Sequence, residues 1–196
     1  MLDEFLLYFK LGLHHILNIE GLDHILFLVM LIIAYTFKDW KRVLWLVTAF
    51  TVGHTLSLIL SIYGAVKVNG AIVEFFVLIT IFLMALYNIF TAGKNSNKTK
   101  SIVLVVSALF FGIIHGLAFA KDFKSMITAG IEDKFLPLVE FTLGIEVAQI
   151  IVVVFVLIIS FLFQTIFRFS KRDWVMVVSA IVIGVLIPTL IKARFW

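Results

Sequence analysis

Apolar residues gather into seven runs, 5–19, 21–37, 43–63, 71–91, 101–120, 138–167 and 174–191, separated by short polar turns. A helix that crosses a bilayer takes about 20 apolar residues at a rise of about 1.5 Å each. Six of the runs are read as full spans. The first, 5–19, is shorter and is interrupted by Lys10, His14 and His15, which predicts a short tilted span or an interfacial helix. Unbroken apolar runs, rather than strict alternation, predict helices and not the strands of a barrel. The fold class is therefore all-α, a polytopic transmembrane bundle of seven helices. It has six full spans plus a short N-terminal membrane or interfacial helix, in one domain over residues 1–196.

The turns set the orientation. Those at 38–42, 92–100 and 168–173 each carry three Lys or Arg residues, whereas 64–70 carries one. The connection 121–136 offsets its three lysines with Asp122, Glu132 and Asp133. Cytoplasmic turns carry the excess of Lys and Arg. Lys98 and Arg172 are thus expected inside and Lys124 and Lys134 outside, in a multi-pass protein of the inner (cytoplasmic) membrane. With seven spans the N-terminus is also inside. If the first run only lies on the surface, the N-terminus is outside and the other assignments stand.

Composition agrees with the pattern. The chain is 63% hydrophobic, against about 45–50% for a soluble domain, and its mean hydropathy is +1.17. The net charge of +4 comes with Lys and Arg that sit mainly in short inter-helix turns and gives no reason to expect nucleic acid as a partner. With no cysteine, disulfides, thiolate nucleophiles and Cys-ligated metals are excluded. The start of the chain, Met1-Leu2-Asp3-Glu4, lacks the basic opening and small-residue cleavage site of a signal peptide and is expected to be retained.

Against this background Asp23 and His24 stand out, because a charge-free run of thirteen residues, 25–37, follows them directly. Ionisable groups inside a membrane are costly and mark functional sites by default. Counted from the expected outer ends of their runs, Glu146 lies about 12 Å deep, His54 about 14 Å and His115 about 8 Å. His15 lies beside the outer end of its run, and Asp23 and His24 fall within a first turn. Five histidines thus share the outer layer with two carboxylates. Imidazole and carboxylate without sulfur suit a divalent transition metal such as Zn, Ni or Co. The candidate ligands are Asp23, His24, His54, His115, Glu146 and His15. Of Asp23 and His24, one is expected to ligate and the other to orient it. Only one of His14 and His15 can readily face the site, and His15 is preferred.

Each residue also has a plainer reading. Asp23 favours a helix N-terminus by its charge. His54 alone could hydrogen-bond a carbonyl, and His115 could pack between the small residues that let helices approach. Glu74 and Glu140 are expected at the interface and solvated. The echo between Phe50-Thr51-Val52-Gly53 and Phe141-Thr142-Leu143-Gly144 suits either an inverted repeat or coincidence.

Four motifs resemble those of the HupE/UreJ membrane proteins. They are Gly21-Leu22-Asp23-His24, Phe50-Thr51-Val52-Gly53-His54-Thr55-Leu56, Phe111-Gly112-Ile113-Ile114-His115-Gly116-Leu117-Ala118-Phe119-Ala120 and Leu143-Gly144-Ile145-Glu146-Val147-Ala148-Gln149. The resemblance covers nearly the whole chain and implies a nickel or cobalt permease, with Asp23, His24, His54, His115 and Glu146 as the polar membrane residues. Many members carry a His-Pro pair ahead of the Gly-x-Asp-His element. Here Ile16 follows His15, which places the chain in a branch whose metal or task can differ from nickel uptake.

The leading expectation is a divalent transition-metal transporter or metal-binding permease. Its partners are a metal ion and the lipid bilayer, with a homo-oligomer left open. The inner halves of the runs offer few polar stepping stones, among them Asn88, Ser107, Ser160 and Gln164. The alternative is an intramembrane metal-dependent hydrolase acting on a lipid or exported substrate, in which three imidazoles and a carboxylate leave an open position for an activated water. A metal sensor or metal-delivery protein is the third reading.

Overall fold

The computed structural model describes residues 2–18, 22–94, 98–127 and 134–193, with only the backbone given at 98–101 and 103. Glu20, Gly21, the loop residues 95–97, Glu132 and Asp133 lie outside the described residues. Seven helices follow in order: α1 Leu2–Leu17, α2 Asp23–Ile32, α3 Trp40–Ile62, α4 Gly70–Thr91, α5 Lys98–Met126, α6 Phe135–Thr165 and α7 Lys171–Lys192. Five of them, α3 to α7, are long and apolar enough to cross a membrane. The chain is a multi-pass integral membrane protein.

The second run departs from its expected span. Its helix stops at Ile32 after ten residues, about 15 Å. The chain then turns through Thr36, whose backbone N–H (3.1 Å) and hydroxyl (2.9 Å) both donate to Asp39, ahead of α3. A half-length helix leaves carbonyls unpaired at its end. At depth in a membrane that is tolerated only where protein surrounds the break. Both conditions are met here. Phe27, Leu28, Met30, Leu31, Ile32 and Ile33 are buried, and the Asn88 amide of α4 donates to the Met30 carbonyl at 2.6 Å.

Other ends follow from local chemistry. Gly64 and Gly93 take the left-handed conformation (φ +78° and +79°) that closes α3 and α4. The Asn69 side chain caps α4, and Ser170 caps α7. The long helices pair through small residues, as in membrane bundles generally. A Cβ at Gly53 would strike the Leu109 carbonyl of α5, and one at Gly112 would strike the Phe50 carbonyl of α3. One at Gly116 would strike Ser57 and the His54 carbonyl. Gly12 and Gly144 lock α1 to α6 in the same reciprocal way, against the carbonyls of Phe141 and Phe9. Both copies of the Phe-Thr-x-Gly echo therefore place their glycine where two backbones touch.

Candidate metal centre

The glycine contacts bring α3 and α5 together where His54 and His115 emerge, and those of α1 and α6 hold His15 opposite them. The first turn of α2 adds His24, itself buried. Each of His15, His24 and His54 offers one ring nitrogen, and these three nitrogens lie within 4.8 Å of one another. The ring of His115 lies 5.1 Å from that of His24, and the ring of His15 lies 4.5 Å from it. Four imidazoles from four helices thus share one pocket of space.

Their hydrogen bonds leave nitrogens free. Asp23 Oδ1 lies 3.2 Å from His24 Nδ1. A carboxylate can only accept, so Nδ1 carries the hydrogen and Nε2 is left as a lone-pair donor. His115 Nδ1 donates to the Phe111 carbonyl at 2.9 Å, which fixes the same tautomer. Nε2 of His15, His24 and His115 and both ring nitrogens of His54 are buried without a partner. A buried polar atom without a hydrogen bond costs about 1–3 kcal/mol. Several such atoms converging on one point fit a metal ion, which takes neutral imidazole nitrogen and is commonly supported by a carboxylate on the second ring nitrogen. Asp23 stands in that orienting position toward His24.

Phenylalanines surround the group. The Phe119 ring centroid is 3.6 Å from that of His15, and Phe27 and Phe50 lie 5.1 and 5.2 Å from His115. Phe27 and Phe50 stand on the closed side of the group. The other side opens to a cavity of about 430 Å³ that reaches His14, His15, His24 and His115 and carries Asp23, Glu74 and Asp122 on its wall. His54, with no exposed surface, forms the closed end. A second cavity of about 320 Å³, lined by Tyr35, Asp39, Arg42, Asn88, Lys94 and Lys171, lies at the other end of α2.

Glu146 is elsewhere. Its carboxylate accepts from Thr48 (2.7 Å) and Thr51 of α3, and it is not among the residues grouped with His54. The reason lies in the face it presents: Glu146 meets α3 at Thr48 and Thr51, about one turn from His54, rather than the histidine group. Glu140 is buried, at 6% exposure, with Oε2 unpartnered, rather than solvated at the interface. Glu74 is exposed and lines the outer cavity. Asp122, expected in the connection 121–136, stands on the cavity wall because α5 runs on to Met126, past the expected end at 120. Of the inner polar residues, Asn88 holds the end of α2, while Ser160 and Gln164 bond each other at 2.8 Å.

No curated protein and no solved structure matches the chain. A family model described as HupE/UreJ protein matches residues 1–194, nearly its whole length, and this multi-pass membrane protein belongs to the HupE/UreJ family.

Proposed function

We propose that the protein is a permease for a divalent transition metal of the nickel and cobalt class, in the inner membrane. His15, His24 and His54 would hold the ion, His115 would stand beside them, and Asp23 would orient His24. The observation that carries this reading is the convergence of buried, unpartnered imidazole nitrogens from three helices within 4.8 Å. Glu146 is left out of the ligand set because its partners are threonines. The outer cavity supports the same reading, since the carboxylates of Asp23, Glu74 and Asp122 favour entry of a cation from the outside. Placement of two cavities at the two ends of the half-length α2 also supports it, because only this helix and its buried neighbours separate them. The expected charge asymmetry of the turns puts the histidine end outside.

One observation favours the hydrolase. The outer cavity, at about 430 Å³, is far larger than an ion and falls in the range of small-molecule sites, about 300–1,000 Å³. Three imidazoles also leave the open position that a zinc hydrolase uses. Metal content and exchange of the purified protein separate the two readings. A permease binds nickel or cobalt and exchanges it rapidly with free ion. A tightly held zinc that does not exchange would overturn the permease.

A further inference from the structure

Glu146 and its neighbours form a second polar cluster, between α3 and α6, that the histidine site does not use. Thr48 Oγ1 donates to Glu146 Oε1 at 2.7 Å, and Thr51 Oγ1 is in contact with Oε2. Thr51 Oγ1 is also 2.8 Å from Gln149 Oε1 and 3.3 Å from the Val47 carbonyl. A hydroxyl has one hydrogen and two lone pairs. Thr51 therefore faces three acceptor oxygens with a single hydrogen, and two of those contacts set oxygen lone pairs against each other. The carboxylate deepens the imbalance. Among the described residues it has no ion pair with any Lys, Arg or His, although it stands within two membrane-crossing helices. An unneutralised carboxylate at that depth is costly.

We propose that Thr48, Thr51, Glu146 and Gln149 form an all-oxygen site for a monovalent hard cation, sodium by its chemistry. One carboxylate and three neutral oxygens balance a single positive charge. A divalent ion would leave net positive charge in hydrocarbon. Hard cations take oxygen ligands, and this set has no nitrogen or sulfur among its inward-facing atoms. Gln149 is buried with Oε1 2.8 Å from Thr51 Oγ1 and Nε2 without a partner, an amide orientation that a cation in the cluster would favour. Helix α3 carries ligands of this site at Thr48 and Thr51 and a histidine-site residue at His54. Sodium occupancy and transition-metal occupancy would thus act on one rigid element.

Thermal unfolding of the purified full chain in sodium chloride against choline chloride, at equal ionic strength, tests this. The expected result is a saturable rise in Tm with sodium that choline does not produce. In Glu146→Gln and in the near-isosteric Thr51→Val, the apparent sodium affinity should fall about tenfold or more, the scale of losing a partner in a metal site. Identical Tm in sodium and choline would overturn the proposal and mean that the Gln149 amide reverses and closes the network with hydrogen bonds alone. A sodium response of equal affinity in both variants would also overturn it, by placing the ion elsewhere. The wild-type titration decides the first point even if a variant fails to fold.

Discussion

Two polar clusters meet on α3 within about two turns, and they differ in almost every chemical respect. Around His54 the groups are ring nitrogens collared by phenylalanine, with His54 itself fully enclosed and His15 and His24 open to one cavity. Around Thr51 they are oxygens, and Thr48 reaches the outer face of the bundle. Borderline-soft ions favour the first set and hard ions the second. What differs in construction is the source of the side chains. The nitrogen cluster draws on α1, α2, α3 and α5, so it depends on the glycine contacts that pair α3 with α5 and α1 with α6 and on the seating of α2 between them. The oxygen cluster needs only α3 and α6.

That contrast can be broken at several points. The largest effect is expected from His54→Ala. It removes a converging nitrogen at the closed end of the site, where no other side chain can substitute. Nickel affinity, measured by equilibrium dialysis, should fall by more than the roughly 10–100-fold that loss of an orienting partner costs. Asp23→Asn keeps an acceptor for His24 Nδ1 but removes the charge, and should cost within that range of about 10–100-fold. Gly112→Ala tests the scaffold. Its Cβ meets the Phe50 carbonyl, and overpacking of this kind costs about 1–3 kcal/mol. A lowered Tm together with weaker nickel binding is expected. Gly184→Ala, which meets nothing within 4 Å, should leave stability little changed or raise it by up to about 1 kcal/mol of helix propensity, read as an equal or slightly higher Tm. The smallest effect on nickel belongs to Glu146→Gln, which should shift its affinity far less than His54→Ala does. Equal losses from the two would merge the clusters into one site.

Much of this was legible in the residues. Apolar runs and turns gave seven helices, and the histidines stood out because nothing apolar explains them. Residue counts gave depth but not direction around each helix, and they depended on where each helix was taken to start. Glu146 shows the cost. Its face on α6 meets Thr48 and Thr51 of α3 instead of the histidines. The break after Ile32 is a tertiary effect, since Asn88 of α4 receives the loose end of α2 and residues 25–33 hold no helix breaker. One local signal was present, however. Thr36 and Asp39 have the spacing of a capping box, which marks a helix start within the supposed span. His15 shows the opposite case. His14 and His15 are adjacent, yet only His15 lies in the nitrogen group, because Gly12 presses one face of α1 against α6.

The account turns on whether one ion is held by imidazoles from several helices. X-ray absorption of the nickel-loaded wild-type protein and of His54→Ala addresses that directly. The prediction is a nitrogen and oxygen shell with the outer-shell scattering of about three imidazoles in the wild type, reduced by one ring or lost altogether in the variant. A nickel shell without imidazole scattering, or an identical spectrum in His54→Ala, would contradict it.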